Sequence, residues 1–240
     1  MQPTRIVVAT AALVVAAAVP AAAQREDTFR WSGPLAAGKT LEVRGINGSI
    51  DARPAAGGMV EIVAHKEGKD DDPGAVDIEV VEGADGIRVC AVYPGKHGGR
   101  VNSCREGNHG DGDMDNDVVV DFTISVPTGV AFHGTTVNGS IDVATLRSDV
   151  RVSTVNGGID VAATGTVEAE TVNGSITLTL PAGTNASVSA QTVNGGFSSD
   201  FPLTVEAGRW GPKRVSGTIG SGGGRLNLET VNGGITIRKS

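Results

Sequence analysis

Aromatic side chains are nearly absent: two Trp, one Tyr and five Phe in 240 residues. So thin a supply excludes a core built on stacked rings and suits many corners over an aliphatic interior. Cysteine is limited to Cys90 and Cys104. Basic residues are outnumbered, with a formal net charge of −7, and the excess acid lies before residue 127. That balance argues against nucleic acid or an anionic lipid surface as partner. After residue 19 no long apolar run occurs, so the mature chain is expected to have no transmembrane anchor. There is no G-x-S-x-G elbow, and His65, His97, His109 and His133 are scattered. No constellation satisfies the requirements of acid–base or nucleophilic catalysis, so the expectation is a non-enzyme without cofactors.

What the chain has is glycine, 35 residues of it, and a repeat. Thr136–Ile141 reads TVNGSI and returns at 154–159, 171–176, 192–197 (ending in Phe197) and 230–235, with an earlier copy, GINGSI, at 45–50. The asparagines Asn138, Asn156, Asn173, Asn194 and Asn232 are 18, 17, 21 and 38 residues apart. The last interval reads as two periods with one drifted copy. Asn-Gly between apolar positions is a turn, and both residues tolerate positive φ. Either side of it, apolar and polar residues alternate with period two, the signature of half-buried strands.

Two all-β architectures fit. One is a single-stranded parallel β-helix-like solenoid with coils of about 18–20 residues, the period of stacked repeats. The alternative is an antiparallel meander or sandwich with Asn-Gly hairpins. Only stacking gives a reason to keep one residue type at every other turn. It predicts an asparagine ladder through Asn138, Asn156, Asn173, Asn194 and Asn232, with amides bonded along the stack. It also predicts two buried columns, Val137/Val155/Val172/Val193/Val231 and Ile141/Ile159/Ile176/Phe197/Ile235. Gly157 and Gly174 are expected at positive φ.

Residues 1–23 have the form of a secretory signal: Arg5, an apolar run from Ile6 to Val19, and Ala21–Ala23 as the cleavage site. Residues 24–240 then form one β-repeat domain, less regular over 24–126 and regular over 127–240. Export makes a Cys90–Cys104 disulfide the expected state. The rival set, Cys90/His97/Cys104/His109, matches no common zinc spacing. Asp111, Asp113, Asp115 and Asp117 alternate as calcium ligands do, but without the glycine and glutamate of an EF-hand; calcium is a weak candidate. Trp210, flanked by Arg209 and Lys213, is the candidate ligand contact.

The TVNG copies together with Thr177–Ala186 (TLTLPAGTNA), Phe201-Pro202-Leu203, 209–214 and Gly217–Gly220 resemble exported bacterial β-strand-repeat proteins classed as putative adhesins, which carry a domain of unknown function. The resemblance implies a β-helix-like protein of the periplasm or cell surface with an adhesion or binding role. It brings no catalytic residues. The partner expected on that footing is a surface polysaccharide or another envelope protein. The alternatives are a structural or envelope-stress-related periplasmic protein and a carbohydrate-active β-helix enzyme.

Overall fold

A computed structural model describes residues 25–96, 99–104, 116–206 and 213–240. The signal segment, His97, His109, Asp111, Asp113, Asp115, Arg209 and Trp210 therefore lie outside the described residues. Among those described, the chain is all-β save one short turn of 3-10 helix at Pro73–Ala75, and the strands form two mixed sheets of nine and ten. No described helix is long and apolar enough to cross a membrane.

Alternation decides which side chains meet between the sheets. In Val150–Asn156 the inward positions are Val150, Val152 and Thr154, and Arg151, Ser153 and Val155 face out. The strand after each corner begins with an inward isoleucine. Ile50, Ile141, Ile159, Ile176 and Ile235 stack on successive parallel strands, and Phe197 closes the column. Each such isoleucine removed from water contributes about 1.5–3 kcal/mol. The opposing sheet supplies Leu41, Phe132, Val150, Val167, Leu226 and Val188 in matching register.

Parallel pairing occupies the middle of both sheets, as Val150–Asn156 beside Val167–Asn173 and Ile159–Ala163 beside Ile176–Leu180. Asp160 and Thr177 are direct partners there, an arrangement no Asn156-Gly157 hairpin could give. Antiparallel pairs lie toward the ends: Arg25–Pro34 on Met59–Gly68, Asp77–Gly83 on Gly86–Val92, and Lys213–Ile219 on Ala186–Asn194.

Spatial order departs from chain order. Gly224–Asn232 lies between Val167–Asn173 and Ala186–Asn194, and Ile235–Lys239 lies between Ile176–Leu180 and Phe197–Ser199. The 38-residue interval therefore contains no drifted copy. Lys213–Ile219 runs back along Ala186–Asn194, and the final copy enters on that strand's other side.

Candidate functional site: the TVNG corner

Each residue of the motif has a separate task. Threonine points inward: Thr136, Thr154, Thr171, Thr192 and Thr230 are all buried. A buried hydroxyl needs a partner, and each donates to the glycine carbonyl of the neighbouring copy of the motif. Thr136 bonds Gly48, Thr154 Gly139, Thr171 Gly157, Thr230 Gly174 and Thr192 Gly233, at 2.9–3.0 Å. The series ends at Gly195, whose carbonyl accepts from the Lys213 ammonium at 2.7 Å. Lys213 is thus a cap on the stack rather than a free cation offered to a ligand.

Asparagine makes the ladder. Asn138 donates to Asn47, Asn156 to Asn138, Asn173 to Asn156, Asn232 to Asn173 and Asn194 to Asn232, every bond 2.8 or 2.9 Å. The expected ladder is present with two changes. Asn47 from the less regular half is its first rung, and Asn194 rather than Asn232 is its last. Beside Asn47 the buried Tyr93 hydroxyl lies 3.2 Å from the Asn47 carbonyl and 3.1 Å from that of Val118; burial pushes its pKa up to about 12.

Glycine is required for a reason other than the one expected. Positive φ occurs at Gly48 but at neither Gly157 nor Gly174, and at no described non-glycine residue. A Cβ on Gly157 would stand 2.0 Å from the Gly139 carbonyl oxygen, and one on Gly174 1.8 Å from that of Gly157. Neighbouring copies of the motif approach too closely at this corner for any side chain.

Valine overturns an expectation outright. Val137, Val155, Val172, Val231 and Val193 form no buried column; they are 37–41% exposed. Strict alternation is the cause: with Val152 and Thr154 inward, Val155 must face out. On strands about 4.8 Å apart, these five side chains make an apolar stripe about 19 Å long. It borders a shallow groove whose other side is the row Ser153, Glu170, Glu229 and Gln191. Glu170 and Glu229 are direct partners. Burial first, then Glu168 and Glu229, pushes the Glu170 carboxyl above its ordinary range. Arg214 bonds Gln191 at 3.1 Å and closes that row.

The rest of the outer faces is largely self-paired. Glu42 accepts from Arg44 and Arg88, both at 2.6 Å; burial opposes its charge, but these bonds hold its pKa low. Arg151 pairs with Glu168 at 3.3 Å. On the opposite sheet Asp51, Asp142 and Asp160 stand in one row, and Asp142 is pushed up by burial and then by its two neighbours.

Cys90 and Cys104 form the expected disulfide, with Cα atoms 5.5 Å apart. Cys90 faces outward from its strand but is buried beneath the returning segment. Both thiols are consumed, which removes them from any zinc set. Of the calcium candidates, only Asp117 is described. Its carboxylate accepts the backbone N–H groups of Asp70 and Asp71 at 2.8 and 3.0 Å, so it clips two loops together.

Residues 134–238 match the family Toastrack DUF4097, a domain of unknown function. Among solved structures the chain is similar to a "putative cell adhesion protein" from Clostridium sporogenes ATCC 15579. The identity is 13% and the TM-score 0.57, over 89% of this chain and all of that one. A "putative adhesin" from Bacteroides fragilis NCTC 9343 aligns at 11% identity and TM-score 0.33, over 89% of this chain and 97% of that one. The Clostridium likeness establishes a shared fold. No curated protein is significantly similar in sequence.

Sequence reasoning missed the valine stripe because it equated apolar with buried. Parity counted from Val150 and Val152 was the available signal.

Proposed function

We propose that this protein is an exported, non-enzymatic β-solenoid that binds another envelope protein at the cell surface or in the periplasm through its valine corner. The carrying observation is the exposed stripe Val137–Val155–Val172–Val231–Val193. Isolated exposed valines need no explanation, but a contiguous apolar row rimmed by polar groups marks an interaction surface. The description of the Clostridium neighbour as a cell adhesion protein supports the same reading. Valine methyls beside carboxylates and amides suit a protein partner better than a polysaccharide, which is usually held on aromatic platforms. The non-enzymatic part is supported by the self-pairing of Glu42, Arg44, Arg88, Arg151 and Glu168.

The test is binding of the purified chain to envelope fractions of its own cells. Wild-type protein should bind saturably, and Val155→Lys/Val172→Lys should lose that binding while keeping its melting transition. Protease treatment of the fraction should abolish capture, and periodate treatment should not. Retained binding by the double variant would overturn the valine site, and release of reducing ends from polysaccharides would overturn the non-enzymatic reading.

A further inference from the structure

On the outer face of the antiparallel end of the nine-stranded sheet, Glu26 stands directly opposite Glu67, and Thr28 opposite His65. Like charges placed opposite each other across strands destabilise the pair. His65 and Glu67 are two positions apart on one strand and so share a face. His65 Nε2 lies 2.9 Å from Glu67 Oε1, and Nδ1 lies 3.4 Å from the Thr28 hydroxyl. One ligand atom from each of Glu26, His65 and Glu67 falls within 4.8 Å of the other two.

From this juxtaposition we infer a divalent transition-metal site, of the zinc class, formed by Glu26, His65 and Glu67. Ligand atoms on tetrahedral bonds of about 2.0–2.2 Å stand roughly 3.3–3.6 Å apart, so the hydrogen-bonded His65–Glu67 pair opens by about half an ångström to take up the ion. The three ligand atoms lie within 4.8 Å of one another, so closing to that spacing takes at most about 1.5 Å of movement, within reach of the exposed Glu26 side chain. Thr28 beside Nδ1 is placed to hold the tautomer that leaves the Nε2 lone pair for metal, the outer-shell role such partners play. An imidazole among the ligands selects zinc-like ions over calcium or magnesium, which prefer oxygen alone. Three protein ligands leave a position for water. The ligands come from two strands, so the ion would staple Arg25–Pro34 to Met59–Gly68 and neutralise the Glu26–Glu67 repulsion. Asp121, opposite His65 on the next strand, is committed to the Ser49 N–H and hydroxyl at 2.7 and 2.6 Å.

The experiment is calorimetric titration of chelator-treated, disulfide-intact protein with zinc chloride, with a melting curve at each metal level. One zinc per chain should bind and raise the melting temperature, and calcium and magnesium should do neither. His65→Gln and Glu67→Gln should each weaken binding about ten-fold or more, and Thr28→Ala by a smaller factor. Glu26 is exposed on an edge strand, so Glu26→Gln should keep the metal-free melting transition, and weakened binding by that folded variant is the control against misfolding. Cobalt substitution should give a visible absorption band that disappears with His65→Gln. Absence of saturable zinc binding, or binding unchanged by His65→Gln and Glu26→Gln, would overturn the assignment.

Discussion

Asn232 accepts the Asn194 amide at 2.9 Å and donates its own to Asn173 at 2.8 Å, so the fifth TVNG copy occupies an interior rung and the fourth occupies the end. Position along the chain is therefore no guide to which asparagine has two neighbours.

The ladder orders a set of variants. Asn173→Ala and Asn232→Ala each remove two side-chain bonds, and Asn194→Ala removes one. At a net worth of about 0.5–1.5 kcal/mol per bond, the interior changes should cost roughly twice the terminal one in urea melts. Equal losses at Asn194 and Asn232 would contradict the order.

Two adjacent glycines separate close approach from backbone freedom. Gly157→Ala drives a Cβ into the Gly139 carbonyl at 2.0 Å, whereas at Gly158 the nearest atom would be 3.5 Å away. Overpacking of backbone on backbone costs about 1–3 kcal/mol or more. Gly157→Ala should destabilise by at least that, and Gly158→Ala should be close to neutral by denaturant midpoint.

Thr171→Val keeps the shape and removes the hydroxyl that bonds the Gly157 carbonyl at 3.0 Å. Leaving that part-buried acceptor unpaired costs up to about 1–3 kcal/mol, a loss a urea melt should register although valine favours strands.

Two carboxylates should show up in the pH dependence. Folding raises the pKa of Glu170 above 4.5 and that of Asp142 above 3.8, in each case by burial first and then by neighbouring carboxylates. A raised acid binds protons more tightly when folded, so stability falls as pH rises from the unfolded value through the folded one. At neutral pH, Glu170→Gln and Asp142→Asn should therefore raise the melting temperature. The gain should vanish once the pH is below the unfolded carboxylate range.

The disulfide closes a short loop, for which chain entropy predicts about 3 kcal/mol. Reduction should lower stability by roughly 2–4 kcal/mol, and denatured, unreduced protein should contain no titratable thiol.

Much of this was legible in the sequence, and the failures have physical causes. Recurrence of TVNG predicted the ladder and the isoleucine column, because stacking is what rewards identical residues at fixed intervals. The expectation of export predicted the Cys90–Cys104 bridge. The valines were misplaced although Val150 and Val152 already fixed their parity. The Gly157 requirement was assigned to φ because a single turn gives no hint of what approaches it from the neighbouring copy. The insertion of 224–239 could not be read locally. Copies that are chemically alike fit any slot, and only the antiparallel excursion through Lys213–Ile219 selects this one.

That inserted pair of strands sets the timing of assembly. Gly224–Asn232 and Ile235–Lys239 are synthesised after the strands they separate. Until they arrive, Ala186–Asn194 can pair only with its antiparallel partner, and Val167–Asn173 shows an open edge. Residues 224–239 are the keystone of the arch. The strands before them can already pair with one another, so what waits for the keystone is closure of this end alone, where the Val167–Asn173 edge is covered last.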